Sequence, residues 1–191
     1  MPRRAALTPE AAAVADSPLS ATAGATGPVV VEDASRRAQS AAREGDLTAL
    51  ESLLIAGVPV NLRNEEGNTL LMLAVYHGRH AVASMLLERG ADPERANECG
   101  QTPLAAAAFK GDVESALLLM NAGAPVDGAG PDGRTPLMYA AMFDRLEVLE
   151  VLLQSGADRD RPDRGGQRPL TLARTMGARR TVERLERSFD A

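Results

Sequence analysis

The stretch GRTPLMYAAMFDRLEVLEVLLQSGAD, residues 133–158, decides the fold. Gly133 marks a turn, and Thr135-Pro136 opens a helix. Threonine accepts from free helix amides, and proline suits a first position that needs no amide donor. Apolar and small residues follow. Asp144 then stands where a left-handed residue closes that helix, a conformation aspartate tolerates better than most side chains. Leu146, Val148, Leu149, Leu152 and Leu153 keep helical spacing for a second helix, and Gly156-Ala-Asp158 breaks it. The stretch reads as turn, helix, turn, helix, loop.

The same pattern recurs along the chain. Gly67, Gly100, Gly133 and Gly166 stand 33 residues apart, as do Gly57, Gly90, Gly123 and Gly156. Leu71, Leu104, Leu137 and Leu170 keep the step, and so do Ala41, Ala74, Ala107, Ala140 and Ala173. In the third copy Thr102-Pro103 opens the first helix and Gly111 closes it; Asp46 and Asp112 are placed to cap second helices. One such unit cannot bury its own apolar face, whereas about three or more stacked units do. Five are predicted, at 34–63, 64–96, 97–129, 130–162 and 163–190. The end units depart as water-facing caps require: Arg36 and Arg37 replace Thr-Pro, Arg168 replaces threonine, and Glu186 stands where inner units carry leucine or methionine.

Gly-x-Thr-Pro-Leu, then alanine, then glycine, then Leu-Leu-x-x-Gly-Ala-Asp together resemble the ankyrin repeat family over about residues 34–190. The resemblance implies an all-α ankyrin-repeat solenoid of helix-turn-helix units joined by β-turn loops. It implies a protein-protein interaction module without catalytic activity. It also implies a concave binding face made by the turn tips and the last turn of each first helix. By register the helix positions include Tyr76, His77, Phe109, Lys110, Met142 and Phe143, flanked by Arg43, Glu44, Thr175 and Met176. The tip positions include Glu65, Glu66, Asn68, Glu98, Gln101, Asp132 and Arg134. Three of the five aromatic side chains therefore fall on the helix stripe. Exposed aromatics and methionines rimmed by charge are the composition of a protein-binding hot spot. The competing expectation is that these side chains only pack between units.

Composition narrows the alternatives. Aromatics make up 3% and tryptophan is absent, which favours small-residue helix packing. Residues 1–160 hold 13 Lys/Arg against 22 Asp/Glu, whereas residues 161–191 hold 8 against 4. An acidic body disfavours nucleic acid, and acidic tips point to a protein partner with basic surface. No apolar run approaches the roughly 18 residues of a membrane span. The single cysteine, Cys99, fits a reducing compartment, and the chain is read as a cytoplasmic monomer. Twenty arginines against one lysine point to a GC-rich bacterial genome. Residues 1–33 form an Ala/Pro/Ser-rich leader, expected to be flexible, with one weak helix from Thr8-Pro9-Glu10 and Val29–Val31 against the first unit.

Sites for chemistry are scarce. Gly128-Ala-Gly130-Pro-Asp-Gly133 matches a dinucleotide fingerprint, but it lacks the preceding strand, and the repeat already accounts for Gly133. His77 and His80 are the two histidines, with no third metal ligand in register. Glu65 and Glu66 read as a solvated turn tip, and Cys99 as an inert exposed thiol. No cofactor, metal or catalytic residue is expected. Besides a plain binding module, an inhibitor or immunity-type protein that blocks an enzyme or toxin, or a stress-response regulator, would use the same surface.

Overall fold

The computed structural model describes residues 28–187. The helix expected from Thr8 and most of the leader lie outside the described residues. Each unit is a helix pair. The inner helices are α1 (Pro28–Glu44), α3 (Leu70–Tyr76), α5 (Pro103–Lys110), α7 (Pro136–Met142) and α9 (Pro169–Met176). The outer helices are α2 (Leu47–Ile55), α4 (His80–Glu88), α6 (Val113–Asn121), α8 (Leu146–Gln154) and α10 (Arg179–Glu186). Inner helices pack on inner neighbours in chain order; α4, α6, α8 and α10 form the second layer. α1 begins at Pro28, ahead of the boundary expected at residue 34, so the end of the expected leader is helical.

Local chemistry sets the helix starts. Thr69, Thr102 and Thr135 are extended, and their hydroxyls accept from the amides of Met72, Ala105 and Met138. Asp46 and Asp112 do the same for Ala49 and Ser115. Gly111 closes α5 at φ 78°, a left-handed backbone that costs glycine little. The alanine register Ala41, Ala74, Ala107, Ala140 and Ala173 is buried throughout, which lets inner helices approach closely. Leu50, Leu86, Leu119 and Leu152 are fully buried between the layers. Burying each contributes about 1.5–3 kcal/mol. No buried side-chain polar atom among the described residues lacks a hydrogen-bond partner.

The junctions between units alternate. The residues at the second-helix cap read Asp46, Arg79, Asp112, Arg145, Ala178. Arg79 and Arg145 offer no cap; their Nε atoms instead donate back to Arg43 and Phe109 carbonyls at the previous inner-helix end, at 2.9 and 3.1 Å. Asp144 sits at φ 54°, the one non-glycine residue with positive φ among those described. Its carboxylate accepts from the Thr181 amide at 3.0 Å, which supplies the cap that Ala178 lacks at the start of α10. The Arg180–Glu147 and Arg184–Glu150 pairs further join α10 to α8.

The tips alternate too. Glu98 N–H donates to the Glu66 carbonyl, and Arg164 N–H to the Asp132 carbonyl. At the equivalent place between units three and four stands Pro131, which has no N–H. Its ring lies against Gly100 instead, where a Cβ would meet Pro131 Cδ at 2.4 Å. Gly130 replaces the asparagine or aspartate found at 64, 97 and 163, because a Cβ there would lie 1.8 Å from the Gly100 carbonyl oxygen. The apparent dinucleotide fingerprint is thus a close crossing of two loops.

Candidate functional site

The inner helices end in a row of rings. Tyr76 and Phe109 stack with centroids 6.1 Å apart and planes 11° apart. They do so because the repeat places both at the last turn of their helices. The next residue in that register is Met142, so the ladder shifts by one position to Phe143, edge-on to Phe109 at 4.5 Å. Lys110 Nζ lies 4.8 Å from the Tyr76 centroid, and His77 meets the Tyr76 ring edge at 5.7 Å. Tyr76 is 40% exposed and Met176, two units beyond Phe109 along the stripe, is 51% exposed. Phe109, Met142 and Phe143 are half-buried. The rings therefore tie units together, while Tyr76 and Met176 leave apolar surface uncovered.

A cleft of about 300 Å³ opens between this stripe and the tips. Met72, Leu73 and Tyr76 form its apolar floor; Glu66, Asn68, Asn97 and Gln101 stand on the tip side, Arg43 and His77 on the helix-end side. The tip side is ordered by a relay in which Asn97 Nδ2 donates to Asn68 Oδ1 and Asn68 Nδ2 to Glu66 Oε2, at 2.9 and 2.8 Å. A second, more open cleft of about 500 Å³ lies over units four and five. There Met142, Leu172 and Met176 face Asp132, Arg134 and Gln167. Arg134 lies between Asp132 and Asp163, at 3.6 and 3.7 Å.

The structure thus gathers Glu66, Asn68, Tyr76, His77 and Gln101 in one cleft and Asp132, Arg134 and Met142 in another. Lys110 borders Tyr76 and His77 on the outer side of the stripe, while Glu65 lies toward α1 beside Arg63. Glu98 is exposed on the third tip, lining neither cleft. Register reasoning missed Met72, Leu73, Asn97 and Leu172, which lie one turn or one tip position from the residues it named. It also missed Tyr139, half-buried near Asp132, Arg134 and Cys99. Burial, then the Asp132 charge, push its phenol above the ordinary value of 10.0.

The electrostatics of the stripe have one clear consequence. Partial burial, then the positive charges of Arg43, Arg79 and Lys110, hold the His77 imidazole below its usual 6.5. His80 is a different case: Nε2 lies 2.8 Å from Asp112 and Nδ1 3.0 Å from Glu114, so it bridges units two and three. No group of three or more residues able to hold a metal occurs among the described residues. Nor is any described helix long and apolar enough to cross a membrane.

Known proteins agree with this architecture. The family described as ankyrin repeats, in three copies, matches residues 39–128, and a further ankyrin repeat matches residues 132–164. An ankyrin repeat protein of Pseudomonas aeruginosa is 60% identical over 37 residues, spanning 19% of this chain and 22% of that one. The shared segment is about a fifth of the relative's length. With well over half of its residues matched and its helix pairs stacked as described, the chain belongs to the ankyrin repeat family.

Proposed function

We propose that the protein binds a partner protein through its concave face and performs no chemistry of its own. The observation that carries this reading is the row of Tyr76, Phe109, Phe143 and Met176 beside two clefts, apolar surface that the fold leaves uncovered. Aromatic and methionine side chains between polar rims are the usual anchors of protein interfaces. Family membership supports an interaction module in general; the face, the partner and its basic surface are our reading. Capture of a partner from source-cell extract, identified by mass spectrometry, tests it. The double variant Tyr76→Ala/Met176→Ala should lose the captured protein. Leu117→Ala, on the exposed side of α6, should keep it. Retention by the double variant with loss by Leu117→Ala would place binding on the outer helices instead.

A further inference from the structure

The groove over units one to three is charged differently on its two sides. Thr69 and His77 lie eight residues apart, so the tip side and the helix-end side are separated by roughly 12 Å at 1.5 Å per helical residue. On the tip side stand Glu65, Glu66 and Glu98, all exposed. None of the three forms an ion pair among the described residues. Arg63 donates to the carbonyls of Gly67 and Ala96 and keeps its charge, and Glu66 accepts from Asn68 Nδ2. On the helix-end side stand Arg43 and Lys110, both exposed and again without an ion pair among the described residues. Their neighbour Glu44 accepts from Ser40 at 2.7 Å, and Arg79 is held against the Arg43 carbonyl. Behind partial burial, the positive charges of Arg43, Arg79 and Lys110 also lower the His77 pKa.

Charges that have partners within the fold are satisfied without a ligand. The balance that remains is negative on the tip side, where three glutamates outnumber Arg63, and positive on the helix-end side, where Arg43, Arg79 and Lys110 outnumber Glu44, with an apolar floor between them. We propose that this groove takes a protein segment with an apolar side chain at its centre, basic residues on the flank facing Glu65, Glu66 and Glu98, and acidic residues on the flank facing Arg43 and Lys110. The inference rests on the concave-face reading and adds a direction to it: the segment lies in one orientation only, because turning it over would oppose like charges on both sides. Like-charge juxtaposition costs enough to reject the reversed pose.

Selection from a random peptide library displayed on phage, against the immobilised full chain, tests this. The wild type should enrich peptides carrying both charges around an apolar residue. The tip variant Glu65→Lys/Glu66→Lys/Glu98→Lys should lose the basic enrichment and keep the acidic one. The helix-end variant Arg43→Glu/Lys110→Glu should do the opposite. Each wild-type peptide should bind its mismatched variant about tenfold more weakly or worse. All substituted positions are exposed, and circular dichroism checks that the helices persist. If the two reversals alter both enrichments alike, only net charge is being read and the polarity is wrong. If no peptide is enriched, the segment proposal fails as well. Peptides whose binding survives Tyr76→Ala would overturn the concave-face reading itself; peptides lost with Tyr76→Ala but indifferent to either rim would overturn the polarity alone.

Discussion

Asp144 shows how one residue carries two constraints. Its backbone is left-handed at φ 54° and its carboxylate caps α10 of the following unit. Asp144→Gly loses the cap, worth about 1 kcal/mol, but relieves the left-handed backbone, so its net cost should be smaller than that. Asp144→Ala loses the cap and keeps a Cβ in the left-handed region, so it should fall roughly 1–2 kcal/mol below the glycine variant. Urea unfolding of the two variants should rank Ala below Gly; equal midpoints would show that the backbone is unstrained. Asp112 sets an acid limit. Partial burial alone would raise its carboxyl, but the Ser115 amide and hydroxyl, then His80, outweigh this and hold it below 3.8. Its contribution is therefore present above about pH 3.8 and is lost as pH falls through the lower, folded-state value. Asp112→Asn, which still caps, should change neutral stability little and flatten the acid limb of the midpoint-versus-pH curve. The caps at Asp46, Thr102, Thr135 and Asp112 were legible because each bonds an amide three residues on. The role of Asp144 was not, because its partner lies 37 residues away in sequence.

At the scale of elements, the inner layer is spaced by alanine and the two layers are joined by leucine. Ala107 is fully buried in α5 between α3 and α7. Ala107→Leu should overpack that layer and cost about 1–3 kcal/mol, read from the urea midpoint with the slope unchanged. Leu119→Ala, which leaves a hole between α6 and its neighbours, should cost about 2–5 kcal/mol. Both registers could be read from the 33-residue step alone. The alternating junctions could not. The letters Asp46, Arg79, Asp112 and Arg145 are plain in the sequence, but an arginine at a cap position looks like a missing cap. Only the neighbouring helix end shows that Arg79 and Arg145 satisfy someone else's carbonyl. Tyr139 was passed over for a similar reason. Its register holds Leu73, Ala106 and Leu172, and nothing local says that a polar ring there reaches Arg134.

The whole molecule is held by nearest neighbours, so its ends matter out of proportion to their size. Ending the chain after residue 162 removes α9 and α10. It exposes the α7 face that packs on α9, and it strands Asp144, Glu147 and Glu150 without their partners. The shortened chain should unfold at lower urea and bind a hydrophobic dye that the full chain excludes; an unchanged midpoint would show that the fifth unit caps nothing. The stripe of ring positions could be read from register, but the two clefts beside it depend on side chains packing across units. The interruption at Pro131 falls between them. On the tip side units two and three are stapled by a backbone amide bond, as are four and five, while three and four meet through the Pro131 ring, the Gly130–Gly100 crossing and, farther along the same loops, Asp127, which accepts from the Asp158 amide. On the helix side Arg145 still clasps the Phe109 carbonyl across that same seam. The two clefts lie on either side of that seam, so a ligand that spans both, as the concave-face proposal would have it, must bridge a junction whose tips share no backbone–backbone hydrogen bond among the described residues.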